Sequence, residues 1–255
     1  MSYEIWRGAS WIDGAECVAI LTHGSENGKT GALDQVWILR ADRDPIAAVR
    51  AGADASICGD CPHRGDGTGK ARSCYVNLGQ APRSVYAAWR RGRYPRISRA
   101  RLAVACYGRE VRLGAYGDPA VLPASVLRAL TVGAPLHTGY THQWRDPRAA
   151  HARAFCMAST DSEAEALAAR AAGWRVFHVG DPIAGAVVCP ASAEYRARTG
   201  RVVQCTDCGL CGGLTRAGLP VGAGVAPIIT IAPHGSGATH ARGRIARVAL
   251  TIGAT

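Results

Sequence analysis

The chain has 255 residues, 48% hydrophobic and 19% charged, a balance that excludes a disordered protein and leaves room for one large core or two small ones. No apolar run approaches the roughly 18 residues a membrane span needs, and residues 1–14 carry Glu4, Arg7 and Asp13 where a signal peptide would be apolar. The formal charge of +11 comes almost wholly from arginine, since only Lys29 and Lys70 among the 30 basic residues are lysines. The cytoplasm, where thiols stay reduced, is the expected location.

Along the chain, short apolar strands alternate with alanine-rich helical segments. Residues 18–22 and 35–39 read as strands. Residues 45–51 form a helix with Pro45 in its first turn and Gly52 closing it. A strand at 75–78 and a helix at 84–91, ended by Gly92, come next. Residues 111–116 are a strand, 123–132 a helix, and 138–144 and 154–158 strands. The helix over 162–172 carries the plainest signals: Ser162 and Glu165 at capping-box spacing, an Ala164/Leu167/Ala168/Ala171 stripe, and a terminating Gly173. Strands at 176–179, 186–188, 228–231 and 246–252 complete the set.

This alternation predicts an α/β fold, a complete or partial (β/α) TIM-like barrel in one domain spanning residues 1–255, with residues 189–213 as a cysteine-rich insertion. Polar residues follow one apolar strand after another: His23, Arg40, Asn77, Asp118, His142 with Gln143, Ser159 with Thr160, His178, Cys189 and His234. In a parallel barrel the carboxyl ends of the strands share one mouth, so these groups are expected to converge there. His142, His178 and His234 are the acid–base candidates among them, against the plainer reading of structural histidines.

The ten cysteines are the main chemical signal. In a reducing compartment, clustered cysteines bind metal or do redox chemistry more often than they form disulfides. Cys17, Cys106 and Cys156 stand alone and read as small buried apolar residues. The first group is Cys58-Gly-Asp-Cys61-Pro-His, with Cys74 after twelve intervening residues. Three thiolates on a [4Fe–4S] cluster leave one iron open, whereas adding His63 as a fourth ligand makes a closed zinc site. The second group is Cys189, then Cys205-Thr-Asp-Cys208-Gly-Leu-Cys211, three ligands within seven residues and flanked by Gly209, Gly212 and Gly213. That compactness suits a ferredoxin-type [4Fe–4S] cluster, with zinc as the alternative.

Together Cys58, Cys61 and Cys74, the aromatic after Cys74 and the later Gly114-Ala-Tyr-Gly117-Asp118-Pro119 resemble the radical S-adenosylmethionine family. The resemblance implies a partial or full α/β barrel, S-adenosylmethionine as a small-molecule cofactor touching Gly117 and Asp118, and an auxiliary cluster on Cys189, Cys205, Cys208 and Cys211. The run from SICGDCPHR to CYVNLGQ is similar to uncharacterised bacteriophage proteins, which would place the chain in a host cytoplasm. It departs from the family in having CxxC plus a distant cysteine in place of CxxxCxxC, and Asp118 in place of the customary Glu.

Between Arg83 and Arg112 lie nine arginines and one acid, Glu110, interleaved with Tyr86, Trp89, Tyr94 and Tyr107. Arginine forks suit phosphates and aromatics stack on bases, so this stretch is a candidate nucleic-acid surface; a solvated helical face is the competing reading. The Asn27-Gly-Lys-Thr-Gly31 run lacks the leading glycine of a phosphate-binding loop. Ala232-Pro-His-Gly-Ser-Gly237 reads as a proton donor or anion nest at a strand end, or simply as a glycine turn.

Overall fold

The computed structural model describes residues 1–25, 28–65, 72–214, 226–234 and 237–243. The chain opens with a three-stranded antiparallel meander, β1 (Tyr3–Ala9), β2 (Glu16–Thr22) and β3 (Asp34–Arg40). The helices α1 (Pro45–Arg50), α2 (Ala55–Cys58), α3 (Ala81–Arg90) and α4 (Arg99–Ala105) then lead to β4 (Val111–Tyr116), which lies parallel to β3. The helix α5 (Ala124–Thr131) precedes β5 (His137–Thr138) and β6 (Tyr140–Thr141). β7 (Met157–Thr160), α6 (Glu163–Ala171), β8 (Val176–Val179) and β9 (Val187–Val188) follow, then α7 (Ala193–Thr199), α8 (Cys205–Cys208) and β10 (Ile229–Ile231).

Two five-stranded sheets result, in the orders β1-β2-β3-β4-β5 and β6-β7-β8-β10-β9. The second is parallel throughout. Only Gly139 separates β5 from β6, so one stretch of chain serves as the edge of both sheets. Its carbonyl accepts from Met157 N at 2.9 Å, and its N–H donates to the Cys211 carbonyl at 3.1 Å. A Cβ at this position would lie 2.8 Å from Cys156 Sγ and 3.1 Å from a Leu113 methyl, which is why the close crossing takes glycine. Among the described residues the sheets do not close into a barrel, and the expected closing strand at 246–252 falls outside those residues.

Apolar strand faces drive the packing. Val18, Ile20, Ile38, Leu113, Leu127 and Leu130 are wholly buried in the main core between the first sheet and its helices. Cys17, Cys106 and Cys156 are buried at 0% exposure, as lone cysteines should be. Asp44 caps α1 by accepting from Ile46 N and Ala47 N. Ser162 caps α6 through Glu165 N, while the Glu165 carboxylate reaches one residue further back, to Asp161 N at 2.8 Å.

Some sequence expectations fail for local reasons. The strand expected at 75–78 is irregular, because its backbone finds other partners: Ser73 N and Cys74 N donate to the His63 carbonyl, and Arg72 donates to the carbonyls of Cys74 and Val76. The strand expected at 154–158 begins only at Met157, since a 3₁₀ segment, Pro147–Ala154, precedes it. The apolar face of α6 is also displaced. Ala166 and Ala169 are buried against β7 and β8, and Leu167 is 52% exposed. Small side chains let the helix backbone approach the sheet, and leucine is excluded from that face.

No described helix is long and apolar enough to cross a membrane.

Candidate functional site

Both cysteine groups line a single cavity of about 360 Å³ at the carboxyl ends of β4, β6 and β7. Cys58 ends α2, and Gly59 follows with φ +56°, where a side chain would collide with the Gln143 amide. That turn brings Cys61 back, with its N–H on the Cys58 carbonyl at 3.1 Å. Cys74 arrives along the irregular stretch held by Arg72 and the His63 carbonyl. All three thiols are free. Burial, then repulsion from neighbouring thiols, pushes Cys58 and Cys61 well above the ordinary thiol range.

The second group sits across the cavity. Cys205 and Cys208 bracket α8, Gly209 turns left-handed at φ +57°, and Cys211 and Cys189 are buried. Burial dominates here too, lifting Cys211 well above the ordinary thiol range, with Cys189, Cys205 and Cys208 adding repulsion. Arg175, 5% exposed, holds the loop from behind through the carbonyls of Leu210 and Gly212 at 2.8 Å and Gly213 at 3.5 Å. The start of the loop is tied to the chain's beginning: Gln204 donates to the Gly28 carbonyl and Cys205 N to the Lys29 carbonyl, both at 3.0 Å.

Between the groups runs a bridge of cationic and aromatic side chains. Arg112 lies 5.7 Å from the Tyr75 ring centre and hydrogen-bonds its hydroxyl. Tyr75 stacks on His234 at 5.9 Å, and Lys29 Nζ is 2.9 Å from His234 Nε2. Tyr140 packs beside Cys211 on the cavity wall. The Lys29 ammonium is lowered by burial, against the thiols of Cys189 and Cys205, which raise it. Tyr116, 4% exposed, has a hydroxyl without a hydrogen-bond partner among the described residues, on the wall of the same cavity.

The expected strand-end convergence is real but incomplete. Asp118, His142, Ser159, Cys189 and His234 line the cavity; His23, Arg40, Asn77, Thr160 and His178 do not. For His23 the reason is direction, because β2 runs antiparallel to β3 and ends at the opposite edge, where His23 meets Asp34 at 2.7 Å. His178 is 2% exposed beside Thr160, and burial lowers its ring below the usual histidine range. Gly117 has φ +82° and a Cβ there would lie 2.7 Å from Ile38 Cβ. Asp118 is raised to about 6 by burial, even though Ala120 N and His142 N donate to its carboxylate and Thr141 lowers it in part.

His63 turns away from a fourth-ligand role for the thiols: Nδ1 is 2.8 Å from Ser73 Oγ and Nε2 is 2.9 Å from Asp161 Oδ1. His142 completes a cluster with them, its Nε2 3.9 Å from Asp161 Oδ2. Asp161 and Arg175 carry no sequence signal, since each acts through contacts with distant segments.

The arginine-rich stretch divides. Arg83, Arg90, Arg91, Arg93, Arg96, Arg99, Arg101 and Arg109 are exposed, whereas Arg112 points into the cavity. Tyr86, Trp89 and Tyr94 pack inward against the core, and Trp89 donates to Glu4 at 2.7 Å, so Tyr107 is the interleaved aromatic left exposed.

Compared with family models, curated proteins and solved structures, the chain matches none.

Proposed function

We propose that this is an iron–sulfur protein of radical-S-adenosylmethionine-like type, built on a partial (β/α) barrel and acting on a nucleic acid or nucleotide. One observation carries the reading. Two sets of disulfide-free cysteines, each mutually repelling, face one cavity from different elements. Buried thiols with raised pKa values ionise only when a cation compensates them, so the donor set fits a metal centre.

Seven thiols around one cavity are more donors than a single zinc ion takes. A tetrahedral ion about 2.3 Å from each thiolate needs sulfurs roughly 3.8 Å apart. Among the described residues the three-donor set with all atoms within 4.8 Å of one another is His63, His142 and Asp161, and neither cysteine group forms one. Cys58, Cys61 and Cys74 would hold a cluster with one open iron, and Cys189, Cys205, Cys208 and Cys211 a closed one. When bound, such clusters supply single electrons and, at the open iron, a binding point for a cofactor such as S-adenosylmethionine.

The protein's own groups then have definable tasks. Gly117 and the strand end shaped by Asp118 offer backbone to the cofactor, and Tyr116 offers a hydroxyl. Lys29 and Arg112 offset thiolate charge from between the groups. His234 faces the cavity as a proton carrier, His142 lines it as well, and His178 supports the second sheet from outside it.

The test is anaerobic purification with iron and sulfide analysis. Two [4Fe–4S] clusters give about eight iron per chain, and Cys61→Ser and Cys208→Ser each remove about half. Reduction with S-adenosylmethionine present should release 5′-deoxyadenosine. A colourless zinc protein overturns the reading.

A second reading is a non-catalytic iron–sulfur or zinc protein that binds nucleic acid or a protein through the exposed arginines of α3, α4 and the loop between them. Seven exposed arginines on those elements favour it. Cluster-loaded protein that binds nucleic acid but leaves S-adenosylmethionine intact supports this reading.

A further inference from the structure

We propose that His63, His142 and Asp161 form a separate, mononuclear site for a divalent first-row transition ion on the wall of the cysteine-lined cavity. Their donor atoms all lie within 4.8 Å of one another, with Asp161 Oδ1 2.9 Å from His63 Nε2 and Oδ2 3.9 Å from His142 Nε2. An ion about 2.1 Å from nitrogen and oxygen ligands sets donor spacings of roughly 3 to 4 Å, so this arrangement closes on a metal with little movement. Neither cysteine group brings three donors that close.

Three different segments supply the donors. His63 sits in the 3₁₀ turn after Cys61, while His142 and Asp161 follow the neighbouring parallel strands β6 and β7. Each is also braced from behind, as metal ligands are. Ser73 Oγ lies 2.8 Å from His63 Nδ1, placed to accept from it in the tautomer that leaves the Nε2 lone pair to an ion. Asp118 holds the backbone N–H of His142, and Glu165 holds that of Asp161.

The chemistry of the set selects the ion. Two imidazoles and one carboxylate suit Fe²⁺, Mn²⁺ or Zn²⁺ and leave coordination positions open. His63 and His142 line the cavity, so the open positions face it. An ion there acts as a Lewis acid for a carbonyl or phosphate oxygen of whatever the cavity holds. No thiol takes part, so the site stands or falls independently of the clusters.

The test uses Mn²⁺, which thiolates bind poorly, titrated into anaerobically purified full-length protein and followed by the loss of its free electron paramagnetic resonance signal. One bound Mn²⁺ per chain is expected. Asp161→Asn should abolish binding, Ser73→Ala should weaken it about tenfold, and His151→Ala, whose ring bonds the Arg148 and Leu122 carbonyls, should leave it unchanged. Pulsed resonance on the wild-type protein should show coupling to imidazole nitrogen, a readout that needs no variant to fold. Mn²⁺ that stays free, binding that survives Asp161→Asn, or an absence of nitrogen coupling overturns the proposal and leaves His63 and Asp161 as a hydrogen-bonded pair between loops.

Discussion

Arg175→Met should loosen the second cysteine loop without unfolding the sheet behind it. The wild-type guanidinium makes two 2.8 Å bonds, to the carbonyls of Leu210 and Gly212, and a longer one to Gly213. Charge-assisted bonds of this kind contribute roughly 1.5–3 kcal/mol each, so about 3–6 kcal/mol is at stake. Methionine recovers part of this, since a buried cation is no longer desolvated and its stem still fills the space; a net loss of about 2–4 kcal/mol remains. The main-chain bond from Ala158 N to the Arg175 carbonyl is untouched, so β7 and β8 should stay paired. Hydrogen–deuterium exchange over residues 208–214 is the assay, because it reads local opening directly. Exchange there should accelerate roughly 30- to 700-fold, with β2 and β3 unchanged, and Arg175→Lys should recover part of the protection. Unchanged protection in Arg175→Met would refute the idea that this arginine holds the loop.

Other outcomes follow from the same geometry. Burial raises the buried Asp34 carboxyl, but Arg109, Gly24 N and His23 outweigh it and hold the group below the usual carboxylate range. Its contribution is therefore complete above about pH 4, the unfolded value, and is lost as pH falls through the lower folded value. Asp34→Asn should cost about 2 kcal/mol at pH 7 in chemical denaturation and flatten the acid side of the stability profile. Gly117→Ala combines a positive φ with a 2.7 Å approach to Ile38 Cβ. It should lower the melting temperature and weaken S-adenosylmethionine binding by calorimetry; unchanged binding would detach Gly117 from the cavity's ligand. Gly213→Ala drives a Cβ into the backbone of Ala154 and Phe155, so iron assays should show selective loss of the second cluster. If the arginine surface binds nucleic acid, Arg91→Ala should weaken binding for every sequence tested and reduce the salt slope by about one.

How far the sequence could be read depends on the range of the interactions. Cys58/Cys61 and Cys205/Cys208/Cys211 were legible because a tight turn must bring close cysteines together. Ser162 and Gly173 marked the ends of α6 because capping is local. The buried face of that helix was not legible, because the closeness of β7 and β8 chose Ala166 and Ala169 over Leu167. β1 was missed entirely: Tyr3–Ala9 has a mixed, half-exposed pattern, and its edge is secured by distant residues through Glu4 N on the Pro95 carbonyl and Ile97 N on the Glu4 carbonyl. His63 looked like a partner of the nearby thiols, and only the fold reveals Asp161, 98 positions away, as its neighbour. Direction of travel misled the strand-end argument at His23, where an antiparallel β2 reverses the rule that holds for β4, β6 and β7.

The bonds from Gln204 and Cys205 to the carbonyls of Gly28 and Lys29 also set an order of assembly. They join positions 176 apart, and closing so long a loop carries a chain entropy penalty of about 4–5 kcal/mol. Two hydrogen bonds cannot meet that alone, so they form after the sheets have brought the two ends together. The first cysteine group is complete once residue 74 has been made, whereas the second becomes a pocket only when the early turn and the late loop meet. If Cys189, Cys205, Cys208 and Cys211 hold a cluster as proposed, its uptake is a late event, and it reports that the two sheets have assembled.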